Sequence, residues 1–311
     1  MRKALFLSLL ALALFGGWGE EGGSAAKPVP EPASVSSPAT ISPDMTSPYL
    51  VTSHIDWSRR VLIVDISLDF KKAGLALPEG RLTAERMVSR DLPGLAKEAF
   101  FAIPLDSEGN LGDQVIAGKI DVEAILRLAE SLQPISGAMS ADLLSFRSRW
   151  ELPLSEAAAL FVTWKQAEAI SPPLGWTPSR AYTGIVIYAD KALPVYGERG
   201  VVGTLHRSLF PRIFDDSMAV VMNRWVVDPE VLVDRGPLGY ATSPSDSDES
   251  RVGDDPLRVR ATGLFGINRA DLLISPADAA RILSDPANRN LIAQGRILVV
   301  VPRDRIFHPG G

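Results

Sequence analysis

The chain has 311 residues, 46% of them hydrophobic and 22% charged, with a net charge of −5 and no cysteine. That length allows about two domains at roughly 150 residues each, and the hydrophobic share is enough to bury a core. The acidic balance speaks against nucleic acid as a partner, and the missing cysteines exclude disulfides, thiolate zinc sites, thiol nucleophiles and lipid attachment through sulfur.

Residues 1–19 carry the layout of a secretory signal peptide. Arg2 and Lys3 precede an apolar run from Ala4 to Phe15, and small residues follow at Gly16, Gly17 and Gly19, and again at Ser24, Ala25 and Ala26. Cleavage after Gly19 or after Ala26 satisfies the small-x-small rule. An uncleaved anchor is the other reading, and the apolar run is short for a bilayer span. Residues 20–48 read as a linker, with Pro28, Pro30, Pro32, Pro38, Pro43 and Pro48 among Ala, Ser and Val. Fully extended at about 3.1 Å per residue, such a segment reaches on the order of 90 Å.

A first α+β domain is expected over residues 49–170. Tyr49 to His54 reads as a strand, and His54 to Ser58 as a turn with Trp57 packed under it. In Val61 to Phe70, Leu62, Val64, Ile66, Leu68 and Phe70 alternate with Asp65, Ser67 and Asp69, which marks a strand with one wet face. Leu82 to Ile103 is helical in pattern, with Thr83 as N-cap. Pro93-Gly94 predicts two helices or a sharp kink there. Asp106 to Gly112 reads as a loop, Asp121 to Leu132 as a helix, Leu144 to Leu152 as a strand, and Glu156 to Ala169 as a helix capped by Ser155.

Residues 171–179, rich in proline, form the expected domain connector. A second α+β domain follows over 180–304, with a tail at 305–311. Its strands are expected at Thr183–Tyr188, Leu209–Phe214, Ala219–Met222, Trp225–Val227, Leu257–Ala261, Leu272–Ile274 and Arg296–Val301. Ser275-Pro276-Ala277-Asp278 reads as an N-cap, first-turn proline and dipole-matched acid opening a helix to Leu283. The mixed order of short strands and helices argues for α+β, with two small mixed antiparallel sheet-and-helix domains.

No residue is assigned a catalytic, cofactor-binding or metal-ligating role. His54, His206 and His308 are far apart and share no ligand spacing. Asp246, Asp248, Glu249, Asp254 and Asp255 lie in a polar loop without the central Gly and terminal Glu of a calcium loop. Asp215 and Asp216 are adjacent on a strand end and point to opposite faces. Gly197, Gly200 and Gly203 do not make the dinucleotide fingerprint. Trp57, Trp150, Trp164, Trp176 and Trp225 are scattered, and core packing is the default for each.

Four stretches carry a family resemblance: the run IDWSRRVLIVDISLDF, the strand Tyr182-Thr183-Gly184-Ile185-Val186-Ile187, the segment Leu209 to Asp216, and Asp271 to Ser275 with Ala277 to Ala280. Together they resemble secreted envelope proteins of the FlgP type, in patches over Ile55 to Pro302. Departures are Gly17-Trp18 where relatives carry a lipidated Cys, Tyr188 in place of an Asp, a long excursion from Pro194 to Ser208, and the Pro93-Gly94 break. The resemblance implies an exported, non-enzymatic protein at the outer membrane or flagellar basal-body rings. Its implied partners are other envelope proteins or further copies of itself. The competing expectation is a periplasmic small-molecule binding protein with an interdomain pocket.

Overall fold

Alternation along Val61–Asp69 decides how the first domain folds. The structure is a computed structural model that describes residues 47–173, 175, 177–243 and 249–302. The expected signal peptide, most of the linker, and the 305–311 tail lie outside these residues. Strand β1 (Tyr49–Asp56) pairs antiparallel with β2 (Val61–Asp69), which buries Leu62, Val64, Ile66 and Leu68 on one face. Helix α1 (Gly80–Phe101) lays Ala84, Val88, Leu92, Ala96 and Phe100 on that face. Each fully buried Leu or Val there contributes about 1.5–3 kcal/mol relative to exposure. Helices α2 (Leu111–Ile116) and α3 (Val122–Leu126) follow, the latter running into a 3₁₀ turn at Arg127–Ser131. Strands β3 (Gln133–Met139) and β4 (Ser145–Pro153) complete an antiparallel sheet of order β1-β2-β4-β3, and α4 (Leu154–Ala159) closes the domain.

Pro93 does not break α1. The buried stripe repeats every four residues straight through it, while Pro93, Gly94 and Ser89, whose carbonyl loses its usual donor, are exposed. Water solvates the freed carbonyl, and packing of the stripe holds the helix together. The cap is at Glu79 rather than Thr83. The helix expected over Glu156–Ala169 stops at Ala159. Beyond it, Phe161 packs edge-on to Phe210 and Trp164 lies against Trp225, both in the second domain. Tertiary contacts take the chain out of the helix there.

The second domain is built on one seven-stranded sheet of order β10-β13-β5-β11-β12-β8-β9. In chain order its elements are β5 (Ile185–Tyr188), the small β6 (Leu193–Pro194) and β7 (Val202–Gly203), β8 (Ile213–Asp215), β9 (Val220–Met222), α5 (Pro229–Asp234) and β10 (Gly239–Ala241). Then come α6 (Glu249–Val252), β11 (Leu257–Phe265), β12 (Asp271–Ile274), α7 (Pro276–Ser284), α8 (Pro286–Ala293) and β13 (Ile297–Val300). Pairings around β5 and β13 are parallel, as is β8 with β12; β11–β12 and β8–β9 are antiparallel. The class is α+β with two domains, and the second sheet is more parallel than the sequence suggested. β5 and β13 are buried end to end apart from Tyr188, as strands with parallel neighbours on both sides usually are.

Three further expectations shift. Trp225 lies in a 3₁₀ turn, Arg224–Val226, because the Asn223 side chain caps the amides of Trp225 and Val226. Leu209 and Phe210 are not in a strand, since their amides bond carbonyls of the first domain. The helices α2, α5, α6 and α8 were not expected, α6 lying within the stretch read as a polar acidic loop. Asn110 with Asp113 forms a reciprocal capping box for α2, and Asp285 caps α8 with Pro286 in its first turn.

All described residues fall in one compact unit; one large apolar core runs through both domains, and a smaller one, with Val186, Leu298 and Val300, lies in the second. No helix among them is long and apolar enough to cross a membrane.

Candidate functional site

Two polar contacts fasten the domains, and the β3 edge of the first sheet is exposed and uncharged. The first contact starts in the turn between α1 and α2. Asp106 accepts from the amides of Glu108 and Gly109, which shapes the turn and carries Ser107 inward. Ser107 and Asp271 are both fully buried. The Ser107 hydroxyl donates to Asp271 Oδ2 at 2.6 Å and accepts from Arg212 Nη2 at 2.8 Å. Arg212 also donates to Asp271 through its amide and Nε, each at 2.8 Å. Backbone bonds flank the group: Leu209 N to Pro104 O, Phe210 N to Leu105 O, and Asn268 N to Ser107 O. Gly266 sits at φ +90°, and a Cβ there would come within 2.3 Å of Ser107 Cβ. Burial pushes the Asp271 carboxyl up, against the lowering pull of Ser107 and Arg212.

This trio resembles a hydrolase site only in residue types. Ser107 is fully buried, with no surface through which substrate could arrive, and the Asp271 carboxylate that accepts its hydrogen bond is already held by Arg212. A serine nucleophile needs both access and a free base. Chemically the group can hold the two domains together.

The second contact is the β1–β2 turn. Trp57 packs edge-to-face on Tyr240 at 5.5 Å. The Tyr240 hydroxyl binds Ser208 N and O, and burial raises its pKa to about 12. Arg60, at φ +53°, pushes its guanidinium toward the last carbonyls of α5, reaching Val233 O at 3.4 Å. Its Nε has no partner, and burial lowers its pKa. Gly236, at φ +71°, leaves the room: a Cβ there would lie 1.9 Å from Arg60 Nη1.

The open edge is β3. Six of its seven residues are exposed, and it carries no charge. Ile135 on it, and Leu143 and Leu144 in the turn after it, are 52%, 53% and 64% exposed. Ser140 N bonds Ser145 O, so by antiparallel alternation the next bonded pairs are Ala138–Arg147 and Ser136–Arg149. The backbone donors and acceptors of Gly137 and Met139 therefore face away from the sheet.

Comparison with known families now divides the chain. Residues 49–160 match the family model for the N-terminal domain of Treponema pallidum Tp0624, and residues 184–304 match that for its second domain. The chain is similar to Tp0624 in both domains. No curated protein matches it. The Tp0624-like N-terminal domain supplies Ser107, Arg60 and the open edge; the Tp0624-like second domain supplies Arg212, Asp271 and Gly236.

The residues weighed from the sequence are dispersed. His54 is exposed on β1, His206 lies in the loop after β7, and His308 is outside the described residues. Among the described residues no three acidic or histidine side chains converge on a metal-sized site. Asp246 and Asp248 are outside the described residues, and Asp255 is held low by a forked pair with Arg180. Asp215 accepts from Ser217 and Ala219 to shape the β8–β9 turn, while Asp216 accepts from Thr262 at 2.5 Å. Gly197 and Gly200 supply positive φ in a turn, and Gly203 lets Arg269 pass. Clefts of about 170 Å³ beside Tyr188, Arg258 and Arg260, and about 250 Å³ beside Ser179 and Ser284, are shallow and lie away from the clasp. Sequence reasoning passed over Ser107, Arg212 and Asp271. A signal existed, since Arg212 and Asp271 each border an apolar strand core in segments already singled out, where a lone charge needs a partner.

Proposed function

We propose that this is an exported, non-enzymatic protein of the cell envelope that acts by protein–protein contact, in a structural or assembly role. Its body is a platform: two domains clamped by a shared core and two polar contacts, with the β3 edge exposed. The open edge is the observation that carries this reading. Unpaired strand edges are templates for pairing, and natural proteins usually blunt them with charge. Export rests on the signal-peptide layout of residues 1–19, and reach on the proline-rich segment that follows. The FlgP-type resemblance makes outer-membrane and flagellar basal-body components the first partners to seek. Among the described residues, Ser107, Asp271 and the shared apolar core pack together where the domains meet, which supports the contact reading over an interdomain pocket.

Cell fractionation tests the first half of the proposal. The processed chain is expected in the periplasmic or outer-membrane fraction. Unprocessed chain among cytosolic proteins would contradict it. A thermal shift on adding envelope sugars, lipids or peptides would favour the binding-protein reading instead.

A further inference from the structure

We infer that the occupant of the β3 edge is a second copy of this chain, paired strand to strand across a two-fold axis at Ala138. The inference rests on the reading of the chain as a contact protein and narrows it to one surface and one partner.

Register follows from the backbone. Pro134 has no amide hydrogen, and the ladder slips between Pro134 and Ser136. Ser140 N is already bonded to Ser145 O. Between these limits Gly137 and Met139 present their donors and acceptors outward. Only an antiparallel partner centred on Ala138 uses both. Gly137 of each copy then exchanges bonds with Met139 of the other, about four bonds in all over the two pairs. Ala138 meets its own symmetry mate as a non-bonded pair, with Cα atoms about 4.5 Å apart. Small side chains are required there, and Ser136, Gly137 and Ala138 are small.

Side chains agree with that register. From Ser131 to Ser145 the only charged residue is Asp142, and its carboxylate is occupied by Ser140 Oγ and Leu144 N. Two copies therefore meet without like-charge repulsion. Antiparallel pairing about Ala138 brings Ile135 of one copy opposite the turn that carries Leu143 and Leu144 in the other. These three exposed residues cover each other. Each patch is used twice, as a two-fold interface requires. The other free edge of this sheet, β1, offers less: Leu50 is its one large exposed apolar residue, and His54 and Asp56 flank its end.

The absence of cysteine gives a direct test. Ala138→Cys puts one thiol on the exposed outer face, at a distance from its mate within the disulfide range of about 4.4–6.8 Å. Purified Ala138→Cys protein is expected to oxidise rapidly to a disulfide dimer. Ala141→Cys alone should form no disulfide dimer, and the Ile135→Cys/Ala141→Cys double variant should cross-link. By sedimentation velocity the parent protein is expected to dimerise with concentration. Ala138→Lys, a substitution on a solvated face, should weaken the dimer roughly tenfold or more. A parent protein monomeric at all concentrations overturns the inference, as does a dimer unaffected by Ala138→Lys. Open-ended assemblies without the Ala138→Cys disulfide would mean β1-to-β3 pairing and overturn it too. Cross-linking to other envelope proteins in cells is scored separately. Its success beside a monomeric protein would sink the two-fold pairing and leave the contact reading standing.

Discussion

Asp271 shows how a buried charge is kept in a domain interface. Three donors of Arg212 and Ser107 reach it, and its removal would take away the acceptor of the fully buried Ser107 hydroxyl. Asp271→Ala should cost about 3 kcal/mol in denaturant midpoint terms, and Asp271→Asn clearly less. The pH dependence has a definite sign. Because burial raises the folded pKa above the unfolded one, the folded state holds its proton more tightly. Stability from this group is then greatest in acid and is lost as pH rises from the unfolded value of about 4 towards the raised one. Comparing parent and Asp271→Asn midpoints from pH 4 to pH 7 checks this: the parent's relative stability should fall with pH, and a rise would show that the Arg212 bonds outweigh burial. At the second contact, Gly236→Ala forces the Arg60 guanidinium aside and strains a positive φ, and should cost about 1–2 kcal/mol. An Arg60→Ala background should recover part of that loss and leave only the positive-φ strain, of order 1 kcal/mol.

Helix α1 illustrates competition between local and tertiary preference. Pro93 is exposed inside a continuous helix, so Pro93→Ala restores a solvent-side hydrogen bond without disturbing the buried stripe. We expect a gain of about 1–2 kcal/mol by chemical denaturation, and a loss would show that the proline fits a bend the stripe needs. Elements with strong periodicity were legible in the sequence. The alternation of Val61–Phe70 and the capped Ser275-Pro276 start appear where their residues place them. Two kinds of element were not. Short helices such as α2 and α8 depend on a single cap and little periodicity. β3, with Gln, Pro, Ser and Gly among its seven residues, carries almost no alternation because neither of its faces is buried. The feature that most invites a partner is therefore the one that periodicity could not reveal.

At the scale of the molecule the two domains share a core, two polar contacts and the aromatic pairs Phe161–Phe210 and Trp164–Trp225. Heat or urea should unfold them in one cooperative transition seen alike by fluorescence and circular dichroism, and two separated transitions would show that the clasp couples them weakly. The interface itself was only partly legible. Its charged members, Arg212 and Asp271, stand in conspicuous segments, but pairing them with Ser107 requires bringing together residues more than 100 positions apart. What emerges is a body with its buried polar contacts turned inward and the uncharged β3 edge turned outward. The most direct test is site-specific photo-cross-linking in living cells, with the photoreactive group at Ser136 on the edge and, as a control, at Glu85 on the exposed side of α1. A discrete protein adduct at Ser136 and none at Glu85 is the expected result. Adducts at Glu85 alone, or at neither position, would contradict the account.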